Sequence, residues 1–206
     1  MVSADVRVVV LLTAWGAGSS AVAGFLDACG AYTCPPHHST NDPRTPNSYE
    51  PAALQQALAD AIDETTLQPK SNAGAFADFF ESWLTEEKAK AARNGSDTIV
   101  LKHALQVFLL PALDRIAMPE YIVITRPYPT IEQTRQRRGW HSTQGEAGAK
   151  IIYNAIYSYM HGAEKPYLAM PFDRFRNDAA ARSKLLQYID LEPGPDALAK
   201  AEAWLT

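Results

Sequence analysis

The segment VRVVVLLTAWGAGSSAVAGFL, residues 6–26, joins an apolar run, a glycine-rich loop and a second apolar segment. The run Val6–Leu12 is short and rich in β-branched residues, which favours a buried parallel strand over a helix. The small residues from Gly16 to Ser20 let backbone amides converge, and Ala21–Leu26 is predicted to form the first helix. A strand, a glycine loop and a helix N-terminus together predict an anion site, because free N–H groups and the helix dipole face the loop.

The loop alone does not identify the anion. The Walker pattern requires a lysine before the hydroxyl residue, and Gly18 occupies that position here. The dinucleotide fingerprint requires a third glycine that only Gly24 could supply. A turn of small residues that simply lets a helix pack on a sheet remains the alternative.

Composition limits the classes of function. The chain has 206 residues and a net charge of −4, which predicts a single domain over residues 1–206 and argues against general nucleic-acid binding. No apolar run is long enough for a bilayer, and Asp5 and Arg7 beside the first run argue against a signal sequence. Cys29 and Cys34 fit no zinc spacing and favour free thiols in a reducing compartment, so we expect a cytoplasmic protein.

Three further short apolar runs predict strands: Thr98–Leu101, Tyr121–Thr125 and Tyr167–Met170. The segments between these runs have apolar residues at helical spacing. Strands that alternate with helices predict a three-layer α/β fold with a mostly parallel sheet and helices on both faces. Residues 32–49 contain four prolines and are predicted to lack regular structure. Within them, His37 and His38 are either solvated loop residues or contacts to an acceptor substrate.

Basic residues follow two of these strands. Lys102 and His103 come after the second strand, and Arg126 comes after the third. Because ligands bind beyond the carboxyl ends of parallel strands, we expect these groups at the same edge as the glycine loop. Three strand ends with anion-binding or acid–base groups indicate a functional site.

Four segments resemble the sulfotransferase family. The loop Trp15–Ser20 is similar to its Pro-Lys-Ser-Gly-Thr-Thr loop, and LKHALQVFLLP, residues 101–111, resembles its Lys-x-His-Leu-Pro…Leu-Leu-Pro segment. YIVITRPYPTIEQT, residues 121–134, resembles the strand-Arg-x-Pro-helix segment, with a threonine in place of the family's serine. YLAMPFDRF, residues 167–175, is similar to a later strand and turn. The resemblance implies a P-loop NTPase-like fold.

The resemblance also implies a reaction: transfer of a sulfuryl group from 3′-phosphoadenosine 5′-phosphosulfate, hereafter the donor, to a hydroxyl or amine of a small-molecule or saccharide acceptor. It implies no metal. The residues that would bind the donor are Trp15, Gly16, Ala17, Gly18, Ser19, Ser20, Arg126 and Thr134. Lys102 would stabilise charge on the transferring group, and His103 is the candidate base because histidine titrates near neutrality.

One departure from the family keeps two other functions open. The family's loop lysine or arginine is replaced by Gly16, and its histidine falls at Ala104, with His103 one residue earlier. The chemistry is therefore either redistributed to Lys102, or the chain is a non-catalytic nucleotide-binding protein. A P-loop small-molecule kinase is a third possibility, although no lysine precedes Ser19.

Overall fold

The central element of the fold is a four-stranded sheet in which neighbouring strands are parallel. A computed structural model of the protein describes residues 6–205. Its strands are β1 (Arg7–Leu12), β2 (His37–Ser39), β3 (Asn47–Pro51), β4 (Thr98–Lys102), β5 (Glu120–Thr125) and β6 (Tyr167–Pro171). The sheet has the order β4-β1-β5-β6, and β2 and β3 form a separate antiparallel hairpin. Residues 1–5 and Thr206 of the predicted domain over residues 1–206 lie outside the described residues.

Helices connect these strands and cover the sheet. They are α1 (Ser19–Ala28), α2 (Ala52–Ala61), α3 (Phe76–Arg93), α4 (Leu110–Ala117), α5 (Tyr128–Arg138), α6 (Glu146–Gly162), α7 (Phe172–Asn177), α8 (Ala179–Tyr188) and α9 (Pro195–Trp204). Short 3₁₀ segments lie at Ala73–Ala75, Ala104–Leu109 and Ser142–Gln144. Within residues 6–205, no helix is both long enough and apolar enough to cross a bilayer.

Alternating side chains of β1 divide the core into two layers. Val8, Val10 and Leu12 join one buried cluster with side chains of α2, α3, α4 and α6. Val9 and Leu11 join the other, with side chains of α1, α7, α8 and α9. A strand that is apolar on both faces requires helices on both sides, because either exposed face would leave apolar surface in water. The predicted three-layer α/β architecture is confirmed.

The prediction that residues 32–49 lack regular structure is wrong, because β2 and β3 form a hairpin there. A proline disrupts a strand only where its missing N–H is needed for the ladder. Pro43 and Pro46 lie in the connection between the two strands, and Pro51 is the last residue of β3. The prolines therefore delimit the hairpin rather than prevent it.

Helical spacing at Leu105, Phe108, Leu109 and Leu113 predicts a helix directly after the second strand, but this segment is not one continuous helix. Lys102 is itself the last residue of β4, and the chain forms a 3₁₀ segment over Ala104–Leu109 before α4 begins at Leu110. The imidazole of His103 caps this segment by accepting the N–H of Leu105. This local bond fixes the side chain of His103 at the carboxyl end of β4.

The turn between α5 and α6 yields a stability prediction. A Cβ at Gly148 of α6 would lie 1.6 Å from the carbonyl oxygen of Thr143, whereas a Cβ at Gly162 would meet nothing within 4 Å. We expect Gly148→Ala to lower the free energy of unfolding by about 1–3 kcal/mol or more, since backbone must move. Gly162→Ala, in the last turn of the same helix, should be neutral or stabilise by up to about 1 kcal/mol.

Urea denaturation of the two variants beside the wild type measures both effects. Equal unfolding free energies for the two variants would contradict the close approach of Thr143 to α6.

Candidate functional site

The loop between β1 and α1 is packed on both sides. Gly16 and Gly18 have φ values of 74° and 94°, a region that glycine enters without strain. A Cβ at Gly16 would lie 3.3 Å from Thr134, and a Cβ at Gly18 would lie 2.4 Å from the ring of Phe172. The loop is therefore held between α5 and the start of α7, with no room for a side chain at Gly18.

The N-terminus of α1 offers free hydrogen-bond donors to the space above the loop. The amides of Ala21 and Val22 bond to the carbonyl oxygen of Gly18. Within residues 6–205, the amides of Gly18, Ser19 and Ser20 have no acceptor. Three unpaired N–H groups at the positive end of a helix can bind the oxygens of a phosphate or sulfate.

Lys102 brings a buried cation to this loop. Its Nζ donates to Ser20 Oγ at 3.0 Å, which places the ammonium at the first turn of α1. It also donates to the carbonyl oxygen of Ser48 at 2.9 Å and to Glu50 Oε1 at 2.8 Å. All three ammonium protons are thus used, and β4, α1 and β3 meet at this one group.

Glu50 is a residue of this site that sequence reasoning missed. Its side chain is 12% exposed and that of Lys102 is 6% exposed, so this is an ion pair largely out of water. Burial alone would raise the pKa of the Glu50 carboxyl, but the charge of Lys102 lowers that pKa below its ordinary value. No local pattern marks Glu50, because its pairing depends on the hairpin that the prolines concealed.

His103 is buried beside the pair, and its ring stands edge-on to Trp15 with centroids 6.5 Å apart. Burial lowers the pKa of His103 below its ordinary value, so the ring is neutral near pH 7. Its Nδ1 accepts the N–H of Leu105 at 3.1 Å. The proton of the neutral ring therefore resides on Nε2, which makes that atom a donor and not a base.

The opposite side of the loop carries Arg126 and Thr134. Arg126 Nη1 donates to the carbonyl oxygen of Gly16 at 3.1 Å, and its guanidinium lies 5.1 Å from the centroid of the Phe172 ring. Its Nε is buried and has no partner. Thr134 Oγ1 donates to the carbonyl oxygen of Thr130 at 3.0 Å, one turn back in α5. A buried N–H without an acceptor is uncommon, and the Nε of Arg126 can donate to an oxygen of a ligand or of water.

The structure brings the predicted site residues to one edge of the sheet. Lys102 and His103 lie against Ser20 and Trp15 on one side of the loop. Arg126 and Thr134 lie against Gly16 on the other. Of the remaining loop residues, Ala17 and Ser19 are buried beneath the free amides. Within residues 6–205, no group of three or more histidine, cysteine or acidic side chains is arranged to hold a metal ion.

The buried neutral state of His103 predicts a pH dependence of stability. Its pKa is lowered in the folded chain and is 6.5 in the unfolded chain, so only the unfolded chain gains a proton as the pH falls below 6.5. Stability from this group is thus present above pH 6.5 and is lost on acidification, by up to about 1.4 kcal/mol per pH unit.

His103→Asn is the matched control, because asparagine can still cap the N–H of Leu105 without titrating. Urea denaturation between pH 7.5 and 5 should show the wild type losing stability relative to His103→Asn. Parallel curves for the two proteins would mean that His103 is not held neutral.

Comparison with known proteins gives a match at the level of the fold. No family model and no curated protein matches this sequence. The structure is similar to the sulfotransferase domain of the olefin synthase from Synechococcus PCC 7002, with a TM-score of 0.54 and 17% sequence identity. The match covers 93% of this chain and 75% of that chain. The chain therefore shares its P-loop-like α/β fold with a sulfotransferase domain.

Proposed function

We propose that the protein transfers a sulfuryl group from 3′-phosphoadenosine 5′-phosphosulfate to a hydroxyl or amine of a small molecule or saccharide. One observation carries this proposal: the ammonium of Lys102 lies at Ser20, beside the three free amides of α1. A cation and unpaired N–H groups around one point are what sulfuryl transfer needs, because charge develops on the transferring group and the leaving oxygen.

The residues present fit this donor at both of its anionic ends. The 5′-phosphosulfate would be held by the amides of Gly18, Ser19 and Ser20, which have no other acceptor. The 3′-phosphate would be held by Arg126 and Thr134, and it would supply the oxygen that the buried Nε of Arg126 lacks. The shared fold supports the assignment.

Lys102 supplies the cation that the loop lacks at Gly16. A side chain from Gly16 would have to pass Thr134, whereas Lys102 reaches the same loop from the end of β4. As the sulfur–oxygen bond to the phosphate breaks, the electron pair stays on the phosphate oxygen. The ammonium of Lys102 would neutralise that charge, and its contribution is largest in the transition state.

Glu50 is the base that the geometry favours over His103. The Oε2 atom of Glu50 makes no hydrogen bond within residues 6–205, whereas Nε2 of His103 carries a proton. The acceptor oxygen or nitrogen would form a bond to sulfur and give its proton to Glu50. When Lys102 turns toward the leaving phosphate, Glu50 loses its cation, and its pKa rises at the moment when a proton must be taken.

A non-catalytic nucleotide-binding protein is the second candidate. It is favoured by the bonds that already use all three protons of the Lys102 ammonium, since a cation held by Glu50 contributes less to a bound sulfate. Tight donor binding without turnover on any acceptor would select this candidate. A kinase is disfavoured, because no lysine precedes Ser19 in the loop and because Glu50 is paired with Lys102.

Donor recognition gives a binding prediction. Adenosine 3′,5′-bisphosphate should raise the melting temperature, with ATP and NAD much weaker, because only the bisphosphate supplies an oxygen to Arg126. Arg126→Ala should weaken binding of the bisphosphate by about 1.5–3 kcal/mol. The same substitution should hardly change the binding of adenosine 5′-monophosphate, which has no 3′-phosphate. Thr134→Ser should change little and Thr134→Val should cost less than Arg126→Ala.

Isothermal titration calorimetry of these variants with the two nucleotides measures the preference directly. Equal thermal shifts with all nucleotides, or an Arg126→Ala variant that keeps its preference for the bisphosphate, would argue against the assignment of this side of the loop.

Turnover separates the roles of the buried residues. Lys102→Ala should lower kcat about a hundredfold or more and change donor affinity far less, whereas Lys102→Arg should retain part of the activity. Glu50→Gln should lower kcat by about a hundredfold to ten-thousandfold and remove the acidic limb of the pH profile. His103→Asn should keep that limb.

The assay is sulfuryl transfer to a panel of phenols, alcohols, amines and sugars, with circular dichroism to confirm that each variant folds. An acidic limb that survives in Glu50→Gln but disappears in His103→Asn would assign the base to His103 after all.

A further inference from the structure

The last turn of α5 is tied to the β2–β3 hairpin through one carboxylate. Arg137 Nη1 lies 2.8 Å and Arg138 Nη2 lies 2.7 Å from Oδ2 of Asp42, which sits in the loop between the two strands. The side chains of Asp42 and Arg138 are only 7% and 15% exposed. Burial would raise the pKa of Asp42, but the hydrogen bonds from Arg137 and from the N–H of Arg44 outweigh it and lower that pKa, so Asp42 is charged.

This ion cluster adjoins the proposed 3′-phosphate position. Arg137 and Arg138 follow Thr134 by three and four residues, which puts them on its face of α5, and side chains on a helix lean toward its N-terminus. The charge of Arg137 contributes to lowering the pKa of Arg126, after burial and Arg176. Burial lowers the pKa of Arg138, and the negative charge of Glu50 is among the charges that oppose this shift. The cluster is therefore within electrostatic range of both Arg126 and Glu50.

The guanidinium of Arg138 is incompletely satisfied by Asp42. Both arginines use the same oxygen of Asp42, whose other oxygen accepts the N–H of Arg44. The Nε of Arg138 is buried without a partner, as is the Nε of Arg126. These two guanidinium N–H groups without acceptors match a tetrahedral anion with several oxygens better than they match one carboxylate oxygen.

We propose that Asp42 is an internal competitor for a phosphate group at Arg137 and Arg138, and that phosphate binding beside Arg126 and Thr134 displaces Asp42 and releases the β2–β3 hairpin. The inference rests on the proposed function for the identity of the natural ligand, the 3′-phosphate of the donor. Because β3 carries Glu50, donor binding would thereby loosen the segment that holds the base and let the acceptor enter.

The matched variants are Asp42→Asn and Asp190→Asn. Each substitution removes the negative charge of an aspartate that forms an ion pair with arginine. Asp190 pairs with Arg7 at the opposite ends of the strands, far from the loop. Asp42→Asn should bind adenosine 3′,5′-bisphosphate and inorganic phosphate about tenfold more tightly than the wild type. Asp190→Asn should bind both as the wild type does.

Amide hydrogen exchange over residues 37–47 supplies a readout that does not depend on affinity. Inorganic phosphate should speed exchange of this segment in the wild type, and Asp42→Asn should already exchange at the fast rate without phosphate. Arg137→Gln should also exchange fast, because it removes one ion pair with Asp42, but it should bind phosphate more weakly. This variant therefore distinguishes the loss of the contact to the hairpin from the gain of a free anion site. This third variant keeps the test valid if Asp42→Asn fails to fold.

The outcomes distinguish this inference from the proposed function. Suppose that phosphate speeds exchange and Asp42→Asn binds phosphate more tightly, but 3′-phosphorylated nucleotides bind no better than ATP. The role of Asp42 as a competitor is then supported, and the proposed donor is wrong. Suppose instead that the bisphosphate is preferred over ATP, but Asp42→Asn binds phosphate like the wild type, or phosphate slows exchange in residues 37–47. The role of Asp42 as a competitor is then overturned, and the donor assignment stands.

Discussion

The ammonium of Lys102 is the group on which the arrangement of the site depends. It joins the end of β4, the first turn of α1 and the β3 strand of the hairpin by three short hydrogen bonds, in a place with little access to water. Removing one member of such a pair leaves the other charge buried without compensation, which costs about 3–5 kcal/mol. The ion pair therefore positions the hairpin relative to the loop, together with the apolar packing of Tyr49 of β3 in the cluster that contains α1.

Much of the fold could be predicted from the sequence, because its signals are local. The apolar runs that became β1, β4, β5 and β6 are short and β-branched, and most of the helices between them have apolar residues at helical spacing, although the polar helix α5 buries only Ile131. The parallel arrangement follows from the helices between the strands, whereas the order of the strands is known only from the structure. The convergence of Lys102, Arg126 and the glycine loop at one edge follows from strand direction alone.

What could not be predicted depends on contacts between distant residues. Glu50 meets Lys102 across 52 positions of the chain, and Asp42 meets Arg137 across 95. Both acids lie on a hairpin whose prolines indicate a loop, because sequence patterns do not show which N–H groups a ladder needs. The tautomer of His103 was equally hidden, since it is set by the N–H of Leu105 in a 3₁₀ turn where helical spacing predicted an α-helix.

The conformation of Gly16 restricts how this site could change over evolution or be engineered. Its φ of 74° costs a residue with a side chain about 1–2 kcal/mol, and Thr134 lies 3.3 Å from where its Cβ would be. Gly16→Lys would therefore be strained, crowd the Thr134 side of the loop and bring a second cation toward Lys102. A cation at position 16 would therefore need coordinated changes at Thr134 and in the backbone of the loop, so the two possible positions of the charge are not connected by a single substitution.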